Sequence, residues 1–217
     1  MNLTIETERL LLRPWRDTDA SDALVIYGDE EVTHWLTPAM AWVPDVQTMH
    51  DVLQKWQDQD VAPVSHWAVE RRDTQQVIGG AAVLRLAPWE DLELGWQLAR
   101  PAWGHGYAAE AGDAVARWAL HRTGVQEVFA LVSPGNDRAA ATAQRIGMEW
   151  IGETDRYHQQ KLDLYRIRHD DLAYCETCES EGCDGPDSRV VTSETVTDRH
   201  RGLSWLLSRP AVEREIT

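Results

Sequence analysis

The segment that most constrains this chain runs from Leu92 to Ala111. There the stretch Leu-Glu-Leu-Gly-Trp-Gln-Leu-Ala is followed directly by Arg-Pro-Ala-Trp-Gly-His-Gly-Tyr-Ala-Ala-Glu-Ala. A strand that passes through a glycine-bearing turn into a helix brings free main-chain N–H groups and the positive helix end to one point. Such a point is a cradle for a diphosphate. Gly104 and Gly106 let a ligand approach the backbone, and Ala108 keeps the first helical turn small. An ordinary tight turn uses the same residues, so the loop alone is a weak signal.

The flanking sequence supplies a frame for this unit. Arg9 to Pro14 reads as an opening strand, with Asp17 and Asp19 as N-caps for a helix through Leu24 to Tyr27. Val46, Met49, Leu53 and Trp56 recur at helical spacing. His66 to Arg71 and Val77 to Leu86 read as a hairpin around Arg72-Asp-Thr74, in which Gly79 and Gly80 mark a bulge or a close backbone approach. Leu92 to Leu98 is a strand, Tyr107 to Arg122 a helix and Val128 to Val132 a buried strand, where the sheet becomes locally parallel. Arg138 to Ile146 is a short helix stopped by Gly147, and Met148 to Gly152 and Leu162 to Arg168 close the sheet. The expected fold is mixed α/β (α+β), a mostly antiparallel sheet of seven strands with four helices.

Composition narrows the function. The net charge of −15 repels phosphate backbones, and no basic patch offsets it, so nucleic acid is not an expected partner. Cationic small molecules and basic peptides are favoured, although a merely solubilising surface has the same charge. No apolar run approaches the roughly 20 residues that span a bilayer, and the first residues lack a leader pattern, so the expectation is a cytoplasmic protein with no membrane partner. Eleven Trp against a single Phe mean that indoles do most of the bulky packing, some of them lining a pocket.

The run R-P-A-W-G-H-G-Y-A-A-E-A resembles the coenzyme A loop of the GNAT superfamily of N-acetyltransferases, in particular its RimJ/RimL branch. Thr7 to Trp15, Val132 to Asn136 with Ile146 to Met148, and Tyr157 to Arg168 resemble that branch's first strand, fifth strand with its helix, and closing hairpin, in the same order. The resemblance implies a GNAT fold splayed between the strands at Leu92 to Leu98 and Val128 to Val132, with acetyl-CoA as co-substrate. Main-chain groups of Trp96, Gln97 and Leu98 would meet the pantetheine. The N–H groups of Trp103, Gly104, His105, Gly106, Tyr107 and Ala108 would meet the diphosphate, and Asn136 would bond the cofactor beyond the other strand, unless it is only a turn residue. The partner implied is an amine, either a protein N-terminus or a small cation such as a polyamine or aminoglycoside. A homodimer is compatible with the sequence.

Two departures bear on chemistry. Pro101 stands where the superfamily often has Gln or Arg, and Ala139 and Ala143 stand where it often has a Ser or Tyr that protonates the thiolate. Ser133, Thr142, Tyr157 and Tyr165 are substitutes for that acid, each with an ordinary packing role open to it. The loss is tolerable, since a thiol of pKa about 8.5 leaves as thiolate at pH 7 for about 2 kcal/mol. Deprotonating the amine costs about 1 kcal/mol for an α-amine and roughly 4 to 5 for a lysine. Glu93 is the first candidate base because it shares a strand face with Gly95 and Gln97; a solvated carboxylate is its alternative. Glu110, His66 and His105 are further candidate bases, although Glu110 reads rather as a cap or packing group and the two histidines as residues of exposed turns. The two Ala positions also admit a module that binds acetyl-CoA without catalysis.

From Cys175 the chain turns acidic and polar, which sets a boundary between a domain, residues 1–174, and an extension, 175–217. Cys175, Cys178 and Cys183, with His200, have a zinc-like first spacing but lack a second closely spaced pair, so free thiols are favoured over metal. Protein purified without chelators is expected to carry substoichiometric zinc. Stoichiometric metal that is lost in Cys178→Ser would show the opposite.

Overall fold

The computed structural model describes residues 4–36, 40–88, 90–157 and 160–172. In chain order the elements are β1 (Ile5–Glu6), β2 (Leu10–Pro14), α1 (Ala20–Tyr27), α2 (Glu30–Thr33), α3 (Val46–Gln59), β3 (Ser65–Arg71), β4 (Val77–Arg85) and β5 (Leu92–Leu98). They continue as α4 (Tyr107–Thr123), β6 (Glu127–Val132), α5 (Asp137–Arg145), β7 (Glu149–Thr154) and β8 (Leu162–Arg168). The cysteine extension and its boundary lie outside the described residues.

The eight strands form one sheet in the order β1-β2-β3-β4-β5-β6-β8-β7. Every neighbouring pair is antiparallel except β5 and β6. This is the mixed fold expected, with one more strand and one more helix than the patterning shows. The additions are β1, two residues paired through Ile5↔Leu12, and α2, a four-residue turn capped by the Asp29 carboxylate. Both are too short to carry a period.

Alternation along the strands divides the core. One sheet face, with Trp67, Val69, Val83 and Leu94, packs on Ala111 and Val115 of α4. The other carries Ala68 and packs on Trp15, Tyr27, Met49 and Leu53, which come from α1, α3 and the segment before them. Indoles serve both sides: Trp67 meets Trp118 edge-on with centroids 4.9 Å apart, and Trp15 lies 6.0 Å from Trp56.

Asp19 does not cap α1. Its carboxylate lies against the Arg13 guanidinium at 2.6 and 3.0 Å, while Glu70 accepts from Arg13 Nε at 2.7 Å. Arg13 and Asp19 are each only 5% exposed, and a charge buried that deeply is tolerable only when paired.

The paired glycines of β4 have two distinct causes. The ladder to β3 runs Val69↔Gly79 and then Glu70↔Val77, which leaves Ile78 as a bulge. A Cβ on Gly79 would lie 2.4 Å from the Gln97 carbonyl oxygen, and one on Gly80 would lie 2.2 Å from the Tyr27 hydroxyl. Gly79→Ala must therefore part β4 from β5, and is expected to destabilise the fold by about 1 to 3 kcal/mol in urea unfolding.

Candidate active site

β5 is bonded along its whole length to β4, from Gly79↔Leu98 to Arg85↔Leu92. Its other edge meets β6 at a single position, Glu93↔Phe129. Beyond that pair the two parallel strands part, and a cleft of about 1450 Å³ opens between them. Because α4 follows β5 and α5 follows β6, both helices begin at the mouth of the split. The part of β5 beyond that bridge carries Trp96, Gln97 and Leu98. The Leu98 carbonyl, however, already accepts from the Trp103 indole at 2.8 Å.

The glycine loop enters α4 through left-handed backbone. Gly104 has φ +80° and Gly106 φ +81°, a region unfavourable to any residue with a Cβ. Gly106 is the N-cap and brings no side chain, so the N–H groups of Tyr107, Ala108 and Ala109 find no intrahelical acceptor. A Cβ built on Gly104 has no neighbour within 4 Å, so the space above the loop is open. Open space, left-handed glycines and uncapped donors together fit a diphosphate group.

A clamp that the sequence does not disclose fixes this loop from outside. Glu110, in the first turn of α4, accepts from the Thr7 hydroxyl at 2.6 Å, from Arg9 N at 2.9 Å and from Arg9 Nε at 2.7 Å. Arg9 also donates to the His105 carbonyl at 3.0 Å and covers the Tyr107 ring at 4.7 Å. On the inner side, Arg138 of α5 lies over the Trp103 ring at 4.2 Å, so one cation–π contact spans the two walls. Asn136 serves as N-cap of α5, its Oδ1 accepting from Ala139 N at 3.2 Å, while the residue also lines the cleft.

A sequence model described as an acetyltransferase (GNAT) domain matches residues 9–149. The chain belongs to the GNAT acetyltransferase family. A relative from Bacillus subtilis (strain 168), the uncharacterized N-acetyltransferase YoaA, is 25% identical over 167 residues, covering 74% of this chain and 91% of YoaA. Mycobacterium smegmatis RimJ in complex with CoA-disulfide has a TM-score of 0.65 at 18% identity, covering 75% of this chain and 83% of RimJ. AAC(6')-Ib in complex with ribostamycin and coenzyme A has a TM-score of 0.63 at 14% identity, covering 76% of this chain and 97% of that one. The last two share the GNAT fold of this chain.

Within this N-acetyltransferase the candidate catalytic groups separate. Glu93 is half-buried in the wall of the cleft, and Ser133 lies opposite, its hydroxyl 3.5 Å from the Trp35 carbonyl. Tyr165 is a correction. It is 5% exposed, paired with Ala130 of β6 and Trp150 of β7, and does not itself line the cleft, and burial, then Asp163, raises its pKa. Tyr157 is likewise buried, donates to Asp91 at 3.0 Å and does not line the cleft. Thr142 reaches it, but its hydroxyl is bonded back to the Arg138 carbonyl at 2.9 Å. His105 is exposed as expected. His66 is not on an exposed turn: it lies in β3, its ring stacked on Trp56, and faces the same cleft. Among the described residues no helix is long and apolar enough to cross a membrane.

The Glu110 clamp yields a pH test. Burial raises the carboxyl's pKa, but the bonds from Thr7 and Arg9 outweigh it and hold it below its ordinary value. A carboxyl so depressed stabilises the fold fully above about pH 4.3, and the contribution disappears as pH falls through the lowered value. Glu110→Gln is expected to lose about 1 kcal/mol at neutral pH, discounted for the solvent around Arg9. In urea melts at successively lower pH the gap to wild type should close.

Proposed function

We propose that this N-acetyltransferase transfers the acetyl group of acetyl-CoA to the α-amine of a protein N-terminus, by direct attack of the neutral amine on the thioester. The observation that carries this reading is the split beyond Glu93↔Phe129, with the uncapped start of α4 at its mouth. Trp96, Gln97 and Leu98 would hold the pantetheine along the open edge, and the N–H groups from Trp103 to Ala108 the diphosphate. Asn136 would add a contact through the part of its amide not used in capping. RimJ, which shares the fold, is bound to CoA-disulfide.

Main-chain N–H groups on the β5 edge would stabilise the oxyanion as the amine adds to the carbonyl. Glu93 draws the cationic amine toward that edge, and Glu93 and His66, which both line the cleft, are the candidates for taking its proton. Ser133 is the cleft hydroxyl that remains for the leaving thiolate. With so few groups for proton removal, an α-amine, which costs about 3 kcal/mol less to deprotonate at pH 7 than a lysine, is the favoured acceptor. A small cationic amine is the second reading. It is supported by the charge of −15 and by the likeness to AAC(6')-Ib, which is bound to ribostamycin.

Thermal melts and a thiol-release assay test this together. Acetyl-CoA should raise the Tm while NAD or ATP at equal concentration does not. Gly104→Val, strained at φ +80° and projecting into the cradle, should remain folded and lose the shift. Thiol release should be faster with a peptide bearing a free α-amine than with spermidine, an aminoglycoside or an Nα-blocked lysine peptide. Equal Tm shifts from all three nucleotides would overturn the cofactor assignment, and preference for another amine would overturn the acceptor.

A further inference from the structure

The sheet face toward α1 and α3 carries a polar pair, His66 and Asp60. His66 Nδ1 lies 2.7 Å from Asp60 Oδ1, and Asp60 Oδ2 accepts from the His66 main-chain N at 3.2 Å. The side chains are only 10% and 12% exposed. The imidazole stacks on Trp56 with centroids 5.1 Å apart and planes 6° from parallel. Ring plane, tautomer and depth are therefore all fixed by neighbours. A carboxylate at Nδ1 keeps the proton there and leaves Nε2 as the basic nitrogen. No buried side-chain nitrogen or oxygen among the described residues lacks a partner, and Nε2 makes no bond, so Nε2 is open to the cleft that His66 lines.

Strand register shows what Nε2 looks across. His66 pairs with Ala82, and Ala82 pairs with Gly95. Paired residues share a sheet face, so His66, Ala82 and Gly95 form one row across three strands, spanning about 10 Å at the usual strand spacing. Within this row no side chain taller than a methyl group stands between the imidazole and β5, and the Gln97 amide borders its far end, 3.4 Å from where a Cβ on Gly95 would lie. The neighbouring rows are filled: Tyr27 sits on Gly80 and bonds Gln97 at 3.1 Å on one side, and Leu84 and Glu93 stand on the other. The shelf is an open lane from a held imidazole to the strand edge where the thioester is proposed to lie.

We infer that His66 is the catalytic base of this acetyltransferase, with Asp60 and Trp56 as its positioning residues and Glu93 as the attracting charge rather than the proton acceptor. This rests on the proposed reaction. An acceptor ammonium on the shelf gives one proton to His66 Nε2, directly or through one water. Its nitrogen lone pair then forms the C–N bond as the C–S bond breaks. The second nitrogen proton ends on the coenzyme A thiol, and the imidazolium returns the first to solvent. An imidazole suits an amine near neutral pH better than a carboxylate does. The other titratable or charged groups around the lane are Asp60 beside His66, Lys55 on α3, Tyr27 on α1 and Glu93 on β5.

The test uses the full chain with acetyl-CoA and the α-amine peptide. His66→Gln should lower kcat/KM about 100-fold or more and abolish the acidic limb of its pH profile, with the acetyl-CoA Tm shift unchanged. Glu93→Gln should raise KM for the peptide and keep that limb. Asp60→Asn, which reverses the hydrogen bond at Nδ1, should move the limb. Imidazole ¹⁵N NMR on free protein should show His66 protonated at Nδ1, and at Nε2 in Asp60→Asn. That reading needs no turnover and checks the dyad if His66→Gln is unstable. Wild type inactive on every amine would defeat the proposed reaction, and with it a base for that reaction. Active wild type with an unaltered His66→Gln profile, an acidic limb lost only in Glu93→Gln, or an Nε2–H tautomer in wild type would overturn the His66 assignment.

Discussion

The site depends on a hydrogen-bond ladder that stops. β5 is held by β4 over its full length, yet it bonds β6 only at Glu93↔Phe129. A strand edge that pairs with nothing inside a protein leaves donors and acceptors without partners, and that is costly unless something else satisfies them. In this fold the unpaired edge is where an amide-bearing chain can add itself in place of a strand. The glycine loop, the uncapped start of α4 and the shelf on the other face gain their positions from where that ladder ends.

Holding the ladder open requires bracing. Gly79 allows β4 to approach β5 so closely that a Cβ would touch the Gln97 carbonyl. The buried Arg13, shared between Asp19 and Glu70, ties the turn before α1 to β2 and β3. Glu110 fastens the start of α4 to the β1–β2 turn through Thr7 and Arg9. Each brace joins separate elements, and each lies in the part of the sheet, β1 to β5, that must not move while the other edge of β5 stays unpaired.

This division explains what the sequence disclosed. Leu92 to Leu98, the α4 helix and the glycine loop declare themselves through local period and turn chemistry, so the frame and the loop that enters α4 are legible, whereas β1 and α2 are too short to have a period. Side-chain partnerships depend on register and topology. Nothing in the string shows that Glu110 meets Arg9, that Asp19 leaves its helix for Arg13, or that Tyr165 turns into the core. His66 reads as a turn residue because it opens its strand just after Pro63 and Ser65. Only the pairing of His66 with Ala82, and of Ala82 with Gly95, reveals the row it commands.

The single bridge at Glu93↔Phe129 divides the sheet into two leaves, β1 to β5 and β6 to β8, bound along the spine by α4, which packs against strands of both. A book of that kind opens by bending at its spine without tearing a page, since almost no inter-strand bond has to break. Across the fore-edge Arg138 lies over the Trp103 ring, a cation on an aromatic face that slides more readily than a directional hydrogen bond. The width of the opening is therefore soft, while each page, and every group mounted on it, stays stiff.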